Sequence, residues 1–437
     1  MKSGDDRIVG KMMICALNGE TSCPCRRSTL PVGEGIARMQ AFYKKIEPYF
    51  SIWLFLRLFT SLNALFFSAI RPITSIEEEV AVWPASAEVS LWLNRVFLAP
   101  WLRWDAVWYV HLLTTGYAAG DGSTSFHPLY IWLSTPLYLL GAEPLFSLLI
   151  TSSLASLGFF WIFYKLACLD LPPEKSQLAL ILLATFPISI ILFAPYTESV
   201  FLFFATLALY QMRKRRWFLA ALATCLASLT RQQGVLLMFP MLWYAWEDSG
   251  KSFGGVFKAW RGWLAACTAP IGLFLWTIYR VYYLHEGILD MQNWQSFVYS
   301  VLLSPSAKII FPDQALIWPW DALAIAISKL THTPDIGDVM TLVLGVGFVI
   351  LFVLAWKYMN PADRIYTLVI TLVSFSMSTG PIRIYLSLPR HLFIAVPVFI
   401  GLAGALKQRW QQAGMIGTQF LIQIFMLFLY VTKSWIP

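Results

Sequence analysis

Apolar runs recur along nearly the whole chain, from residue 50 to residue 432, and eleven of them approach the length of about 20 residues that an α-helix needs to cross a bilayer. The sequence is 58% hydrophobic and only 13% charged, whereas about 25% of a typical soluble domain is charged. This composition excludes a soluble enzyme, a disordered scaffold and a nucleic-acid-binding module, and it predicts an all-α polytopic membrane protein. The predicted spans are residues 50–70, 144–167, 177–195, 198–212, 216–230, 234–246, 263–284, 339–357, 364–378, 391–406 and 414–432.

Clusters of basic residues orient these spans, because short loops rich in Lys and Arg stay in the cytoplasm; the clearest cluster lies at residues 213–216. Residues 1–47 lack the apolar stretch of a secretory signal, so we expect a flexible cytoplasmic tail followed by a transmembrane domain over residues 48–437. If successive spans cross the membrane in alternating directions from this cytoplasmic tail, every basic cluster lies inside, provided that the run at 128–141 is re-entrant or interfacial. Pro136 interrupts that run, which favours this interpretation. The sequence thus predicts eleven spans, with the N-terminus inside and the C-terminus outside.

Two predicted outer loops are long, at about residues 71–143 and 285–338. Both are rich in Trp and Tyr, whose rings favour the membrane interface. We therefore expect interfacial helices in these loops and a substrate drawn from the outer leaflet. The five histidines and six cysteines show no metal-ligand spacing and no disulfide framework, so no metal site is predicted.

The stretch from Arg103 to Tyr109 is the most informative part of the first outer loop. If it is helical, Asp105, Trp108 and Tyr109 share one face because they are three and four positions apart. Trp104 adds another aromatic ring beside the carboxylate. A carboxylate in such a setting can accept a proton from an incoming hydroxyl group. The alternative is that Asp105 pairs with Arg103 or caps a helix.

Polar residues in two other predicted outer segments are further candidates. His127 can bind a hydroxyl group or a phosphate, or it can serve as a structural hydrogen-bonding group. Tyr196 and Glu198 can line an outer cavity. Alternatively, Thr197 caps the helix that follows, and the negative charge of Glu198 in its first turn interacts favourably with the helix dipole.

Basic residues supply candidate contacts to an anionic headgroup. Arg231, followed by Gln232, lies in the middle of a long apolar stretch, where an arginine is costly and is therefore paired or functional. A phosphate matches its guanidinium group, and a salt bridge to Glu198 is the alternative. Arg383, Arg390 and His391 lie in a predicted outer segment, against the usual charge rule, and form a second headgroup candidate.

One acidic group and several basic groups on the outer side are typical of group transfer from a lipid-linked phosphate. The arginines would stabilise the departing phosphate, and the carboxylate would activate the acceptor hydroxyl. Five short motifs then resemble, in order, those of the PIG-V-type (GPI mannosyltransferase 2) family over about residues 50–432. The motifs are Trp104-Asp105-Ala106 with Trp108-Tyr109 and Gly116-Tyr117, Phe126-His127-Pro128-Leu129-Tyr130, Ala194–Ser199, Leu229-Thr230-Arg231 with Gly234, and Ser387-Leu388-Pro389-Arg390.

This resemblance implies a GT-C fold and an inverting transfer of a sugar, usually mannose, from a polyprenyl- or dolichyl-phosphate donor. Asp105 is then the base, a lipid or glycan is the acceptor, and neither a metal nor another cofactor is needed besides the donor substrate. His127 departs from the family's commoner Phe. Eukaryotic members act on GPI precursors in the endoplasmic reticulum membrane, whereas the compact chain favours a bacterial plasma-membrane protein with an extracytoplasmic active site.

Two alternatives stay open at the level of the sequence. One is a GT-C transferase that moves another sugar or acts on a protein hydroxyl. The other is a flippase or transporter for a lipid-linked sugar, although such a protein should carry its charged residues near the midplane of the bilayer. Membrane lipids are expected partners in every case, and nothing in the sequence indicates a docking surface for a partner subunit.

Overall fold

The computed structural model describes residues 32–71, 97–286, 315–333, 335–379, 385 and 387–432. Two compact units divide the chain between Pro48 and Tyr49. The first helix begins at Val32, earlier than the predicted span at 50–70. Residues 1–31, which make up most of the predicted tail, lie outside the described residues.

The described part of the chain is all-α and contains sixteen α-helices. They are α1 (Val32–Ile70), α2 (Asp105–Thr114), α3 (Leu129–Leu139), α4 (Pro144–Ala167), α5 (Pro173–Ala184), α6 (Glu198–Arg213), α7 (Trp217–Thr230), α8 (Met238–Asp248), α9 (Trp260–Cys267), α10 (Ile271–Tyr282), α11 (Pro319–His332), α12 (Ile336–Ala355), α13 (Pro361–Ser376), α14 (Leu388–Phe393), α15 (Pro397–Ala405) and α16 (Arg409–Val431). Short 3-10 helices cover Ala99–Trp101, Ser123–Ser125, Pro187–Leu192, Gln232–Leu237, Phe253–Ala259 and Trp356–Tyr358. A two-residue antiparallel ladder pairs β1 (Ala315–Leu316) with β2 (Met377–Ser378).

Every predicted span falls mainly on helical chain, but its continuity varies, and the span at 364–378 ends in the two residues of β2. Five stretches in the described residues are long and apolar enough to cross a membrane: Pro48–Ile70, Pro144–Ala167, Phe253–Tyr282, Ile336–Tyr358 and Arg409–Val431. The remaining predicted spans are shorter helices or are broken. The predicted run at 177–195, for example, changes from α5 to the 3-10 helix that begins at Pro187, and the run at 391–406 is divided between α14 and α15. The count of eleven spans therefore stays a prediction.

The run that was expected not to cross the membrane forms α3, a helix of 11 residues. At 1.5 Å per residue it is about 16 Å long, roughly half the thickness of the hydrocarbon core. It packs on α4, where the Tyr130 hydroxyl donates to the Leu148 carbonyl at 3.0 Å. Its length fits the predicted re-entrant or interfacial placement.

The two predicted outer loops contain short helices. The first includes α2 and α3, and the second includes α11, which begins beside the stacked and exposed rings of Trp318 and Trp320. Residues 72–96 and 287–314 of these loops lie outside the described residues.

Helix α6 carries charged residues at both ends and packs between α4 and α7. Glu198 is its first residue and Arg213 its last. Arg213 pairs with Asp170 and, at 3.3 Å, with Oδ2 of Asp363 in the first turn of α13. We call this group of three the Arg213 cluster; it connects α6, α13 and the segment that follows α4.

Candidate active site

Four charged residues from distant parts of the chain meet where four helices begin or end. Asp105 is the first residue of α2, Glu198 is the first residue of α6, and Arg231 directly follows α7. Arg390 lies in the short helix α14. We call these residues the four-residue cluster.

Arg390 joins the two carboxylates of the cluster. Its Nη1 donates a hydrogen bond to Oδ2 of Asp105 at 2.6 Å, and its Nε donates to Oε1 of Glu198. The guanidinium carbon lies 4.6 Å from the centre of the Tyr196 ring, which adds a cation–π contact. Arg390 is only 5% exposed, so these contacts replace water around its charge.

Glu198 is fully buried and holds both arginines of the cluster. Its Oε1 accepts from Nε of Arg390 and also from Nη1 of Arg231, which donates in addition to the Thr197 hydroxyl at 3.2 Å. Oε2 of Glu198 has no hydrogen-bond partner within the described part of the chain. The structure thus contains the Arg231–Glu198 salt bridge that the sequence left open. Thr197 precedes α6 at the N-cap position but makes no side-chain capping bond there.

Asp105 is the accessible acid of the cluster. Its side chain is 30% exposed, whereas that of Glu198 is 0% exposed. The two carboxylates and two guanidinium groups have a formal charge sum of zero. Asp105 is therefore the member of the cluster that a small polar group can reach, while the buried Glu198 fixes the arginines.

The predicted partner of Asp105, Arg103, is engaged elsewhere. Its Nε donates to the Val431 carbonyl at 2.9 Å and its Nη1 to the Ala99 carbonyl at 2.6 Å, so it joins the end of α16 to the segment before α2. The Arg103 carbonyl in turn accepts from the Tyr196 hydroxyl at 3.1 Å. Asp105 pairs with Arg390 and not with Arg103, because these backbone acceptors hold the Arg103 side chain.

The aromatic residues around Asp105 lie where the helical spacing predicts. Trp108 stacks on Phe126 at 5.5 Å, and Tyr109 meets the same ring edge-on at 5.2 Å. The Tyr109 hydroxyl is 3.4 Å from that of Thr197, and burial raises the pKa of this phenol. Trp104, directly before α2, has a φ of 50°, a backbone conformation that L-residues other than Gly rarely adopt.

His127 makes a structural contact. Its Nδ1 donates to the Ser228 carbonyl of α7 at 2.9 Å, since a carbonyl can only accept. Burial lowers the pKa of His127 to about 3, so the ring is neutral at ordinary pH. This is the structural alternative that the sequence left open.

The remaining candidates lie beside the cluster or outside the described residues. His391 follows Arg390 in α14 and is half-buried, and Gln232 follows Arg231 at the start of a 3-10 helix. Arg383 lies outside the described residues. Reasoning from sequence missed Gln233, whose Oε1 accepts from Nε of Arg231 at 3.4 Å; its position in the same short motif was the available signal.

The described residues contain no group of three or more His, Cys, Asp or Glu side chains placed to hold a metal ion. The fold and the cluster together define an all-α protein with helices of membrane-spanning length and a buried ionic network at its helix ends. No family model matches the chain, and no curated protein matches it.

Proposed function

We propose that the protein is a membrane glycosyltransferase that moves a sugar, mannose by preference, from a polyprenyl-phosphate carrier to a lipid or glycan acceptor on the extracytoplasmic side. Asp105 is the base in this proposal. The observation that carries it is the contrast within the four-residue cluster: Asp105 is accessible and is held by Arg390, which is itself fixed by the fully buried Glu198.

The reaction needs one proton acceptor and one site for a departing phosphate. The acceptor hydroxyl loses its proton to Asp105, and its oxygen forms a bond to the anomeric carbon of the sugar. The bond between that carbon and the phosphate oxygen breaks, and the electron pair leaves with the polyprenyl phosphate. Attack from the face opposite the phosphate inverts the anomeric centre.

The charge of the cluster changes in the direction that this reaction requires. Before transfer, Asp105 and Glu198 balance Arg231 and Arg390, and the formal sum is zero. Proton uptake by Asp105 leaves the cluster with one net positive charge. A phosphodiester donor has one negative charge and the departing monoester gains a second, so the positive charge arises where negative charge develops.

The resemblance of the sequence to the PIG-V-type family supports the same proposal. Each member of the four-residue cluster comes from a different one of the five motifs that carry the resemblance. Residues from motifs far apart in the chain thus converge on one network, as the parts of an active site would. The GT-C fold, the identity of the sugar and the class of acceptor are parts of this proposal.

A transfer assay with the purified full-length protein tests the proposal. Radiolabelled polyprenyl-phosphate-mannose is the donor and total membrane lipid is the acceptor. Asp105→Asn should abolish transfer while the protein keeps its melting temperature. Asp248→Asn is the matched control, because this aspartate is also 30% exposed and pairs with Nε of Arg215 at 2.9 Å, away from the cluster. Transfer by Asp105→Asn at nearly the full rate would overturn the assignment of the base.

The same preparation separates the alternatives. Transfer from polyprenyl-phosphate-glucose but not from the mannose donor would indicate another sugar, and label recovered on protein would indicate a protein acceptor. Label that crosses the bilayer of a proteoliposome while still attached to its carrier would favour a flippase and contradict the proposal.

A further inference from the structure

A groove lies where two long apolar helices end and begin, and it takes no part in the proposed chemistry. The candidate span Ile336–Tyr358 ends here and the candidate span Arg409–Val431 begins here. Between them runs a groove of about 410 Å³, within the range of roughly 300–1,000 Å³ that ligand sites occupy. Its lining is mainly apolar and includes Leu354, Leu402, Leu406, Trp410, Gly414 and Met415.

Close packing of glycines holds the walls of the groove together. A Cβ atom added to Gly401 would lie 2.6 Å from the Met359 side chain, and one added to Gly404 would lie 3.1 Å from Cβ of Tyr358. Helix α15 therefore packs directly on the segment that follows α12. Gly414, on the groove side of α16, has no heavy atom within 4 Å of its added Cβ, so the groove is open there.

Cationic side chains without acidic partners flank this groove. Lys357 lies in the 3-10 helix after α12, and Arg364 in the first turn of α13 donates to its carbonyl at 3.5 Å. Lys407 and Arg409 lie directly before and at the start of α16. None of the four forms a salt bridge with an acidic side chain within the described ranges. Arg215, by contrast, pairs with both Glu247 and Asp248.

We propose that this groove binds an anionic phospholipid, with an acyl chain along the apolar walls and the phosphate headgroup beside the four cations. The proposal commits to a lipid because the groove lies where two candidate spans end, which is the depth of the headgroups. It commits to an anionic lipid because the lining residues Leu406 and Trp410 lie next to Lys407 and Arg409 in the chain, so cations cluster at this rim. The sequence orients this end toward the cytoplasm, so the ligand comes from the inner leaflet. Trp410, 74% exposed at the rim, has the amphipathic ring that favours this interface.

Native mass spectrometry of the full-length protein tests the headgroup. Phosphatidylglycerol and phosphatidylcholine with identical acyl chains are added to the detergent-purified protein, and the bound fraction of each is measured. We expect phosphatidylglycerol to bind one-to-one and more tightly. The double variant Lys407→Gln with Arg409→Gln should weaken its binding about tenfold or more, because each cation near a headgroup contributes about fivefold. Lys258→Gln with Arg261→Gln removes the same charge from exposed residues outside the groove and should leave binding unchanged.

A filling variant tests the groove itself. Gly414→Phe places a ring in the open space and should reduce phosphatidylglycerol binding severalfold. Gly417→Phe, on the same helix and also without neighbours within 4 Å, should not. Equal binding of the two lipids, or equal loss in the two double variants, would overturn the proposal. Displacement of phosphatidylglycerol by polyprenyl phosphate at lower concentration would assign the groove to the proposed donor instead. None of these measurements uses sugar transfer, so they fail or succeed independently of the transferase proposal.

Discussion

Arg390 donates a hydrogen bond to Asp105 over 2.6 Å, although 285 positions separate the two residues in the chain. The same guanidinium group donates to Glu198 from a different nitrogen. A planar group with donors on two edges can serve two carboxylates at once, and a single ammonium group has no such fork. The position of the proposed base is therefore set by the shape of Arg390 as well as by its charge.

The first prediction follows from that shape. Arg390→Lys keeps the positive charge but loses the fork, so it should lower transfer by about 100-fold or more. Initial rates with the labelled donor measure the change. Arg261→Lys, on an exposed residue over Trp260, should keep the full rate. A rate of Arg390→Lys within threefold of the unmodified protein would show that charge alone is sufficient.

Neutralising the buried acid should affect stability more strongly than any surface change. Glu198→Gln removes the anion that both arginines share, and breaking a buried ion pair in this way costs about 3–5 kcal/mol. Thermal unfolding in detergent should therefore occur at a clearly lower temperature. Adding Arg231→Gln should recover part of the loss, because Arg231 pairs with Glu198, whereas Arg390 keeps its second acidic partner, Asp105. Exposed Glu174 provides the matched control, Glu174→Gln, with no expected shift.

The buried histidine should make the fold sensitive to acid. Burial lowers the pKa of His127 to about 3, whereas an unfolded chain binds this proton near pH 6.5. Between these values unfolding takes up a proton, so the free energy of unfolding falls as the pH falls below about 6.5. At pH 5 the loss from this group is about 2 kcal/mol. His127→Asn can still donate to the Ser228 carbonyl. Its melting temperature should depend less on pH between 7.5 and 5 than that of the unmodified protein. The exposed control, His332→Asn, should show the pH dependence of the unmodified protein.

A glycine next to the cluster should tolerate no side chain. A Cβ atom on Gly234 would lie 2.3 Å from the backbone nitrogen of Ser228, so the turn after α7 must move to admit it. Gly234→Ala should destabilise the protein by about 1–3 kcal/mol and displace Arg231, which lowers transfer. Gly417→Ala meets no atom within 4 Å and should change neither property. Melting temperature and initial rate are the two measurements. An unchanged rate in Gly234→Ala would show that this turn does not position Arg231 for transfer.

Local spacing made part of the site predictable. If the stretch from Asp105 is helical, intervals of three and four residues place Trp108 and Tyr109 on one face. The structure forms that helix, and both rings contact Phe126. The pairings within the four-residue cluster depend on tertiary packing, which no local pattern encodes. The sequence accordingly left two alternative partners open for Arg231, a phosphate and Glu198, and it suggested Arg103 as a partner for Asp105.

The lengths of the helices were less predictable than their positions. Hydropathy detects an apolar run but does not distinguish an α-helix from a 3-10 helix within it. The run at 177–195 illustrates this, because α5 ends at Ala184 and Pro187 begins a tighter helix. Pro397 similarly opens a new helix inside the run at 391–406. Reasoning from sequence therefore located the segments but joined pieces that the structure separates.

Helix α6 connects the four-residue cluster to the Arg213 cluster through only 16 residues. Its length is about 24 Å, which is less than the roughly 30 Å of a hydrocarbon core. If α6 crosses the bilayer as the sequence predicts, the bilayer around it must become thinner, or one charged cluster must lie below the level of the lipid headgroups, enclosed by protein. Where the four-residue cluster is the one enclosed, protein takes the place of bulk water around Arg390, and the phosphate of the proposed donor would meet this arginine at a shallower depth than a full hydrocarbon core requires.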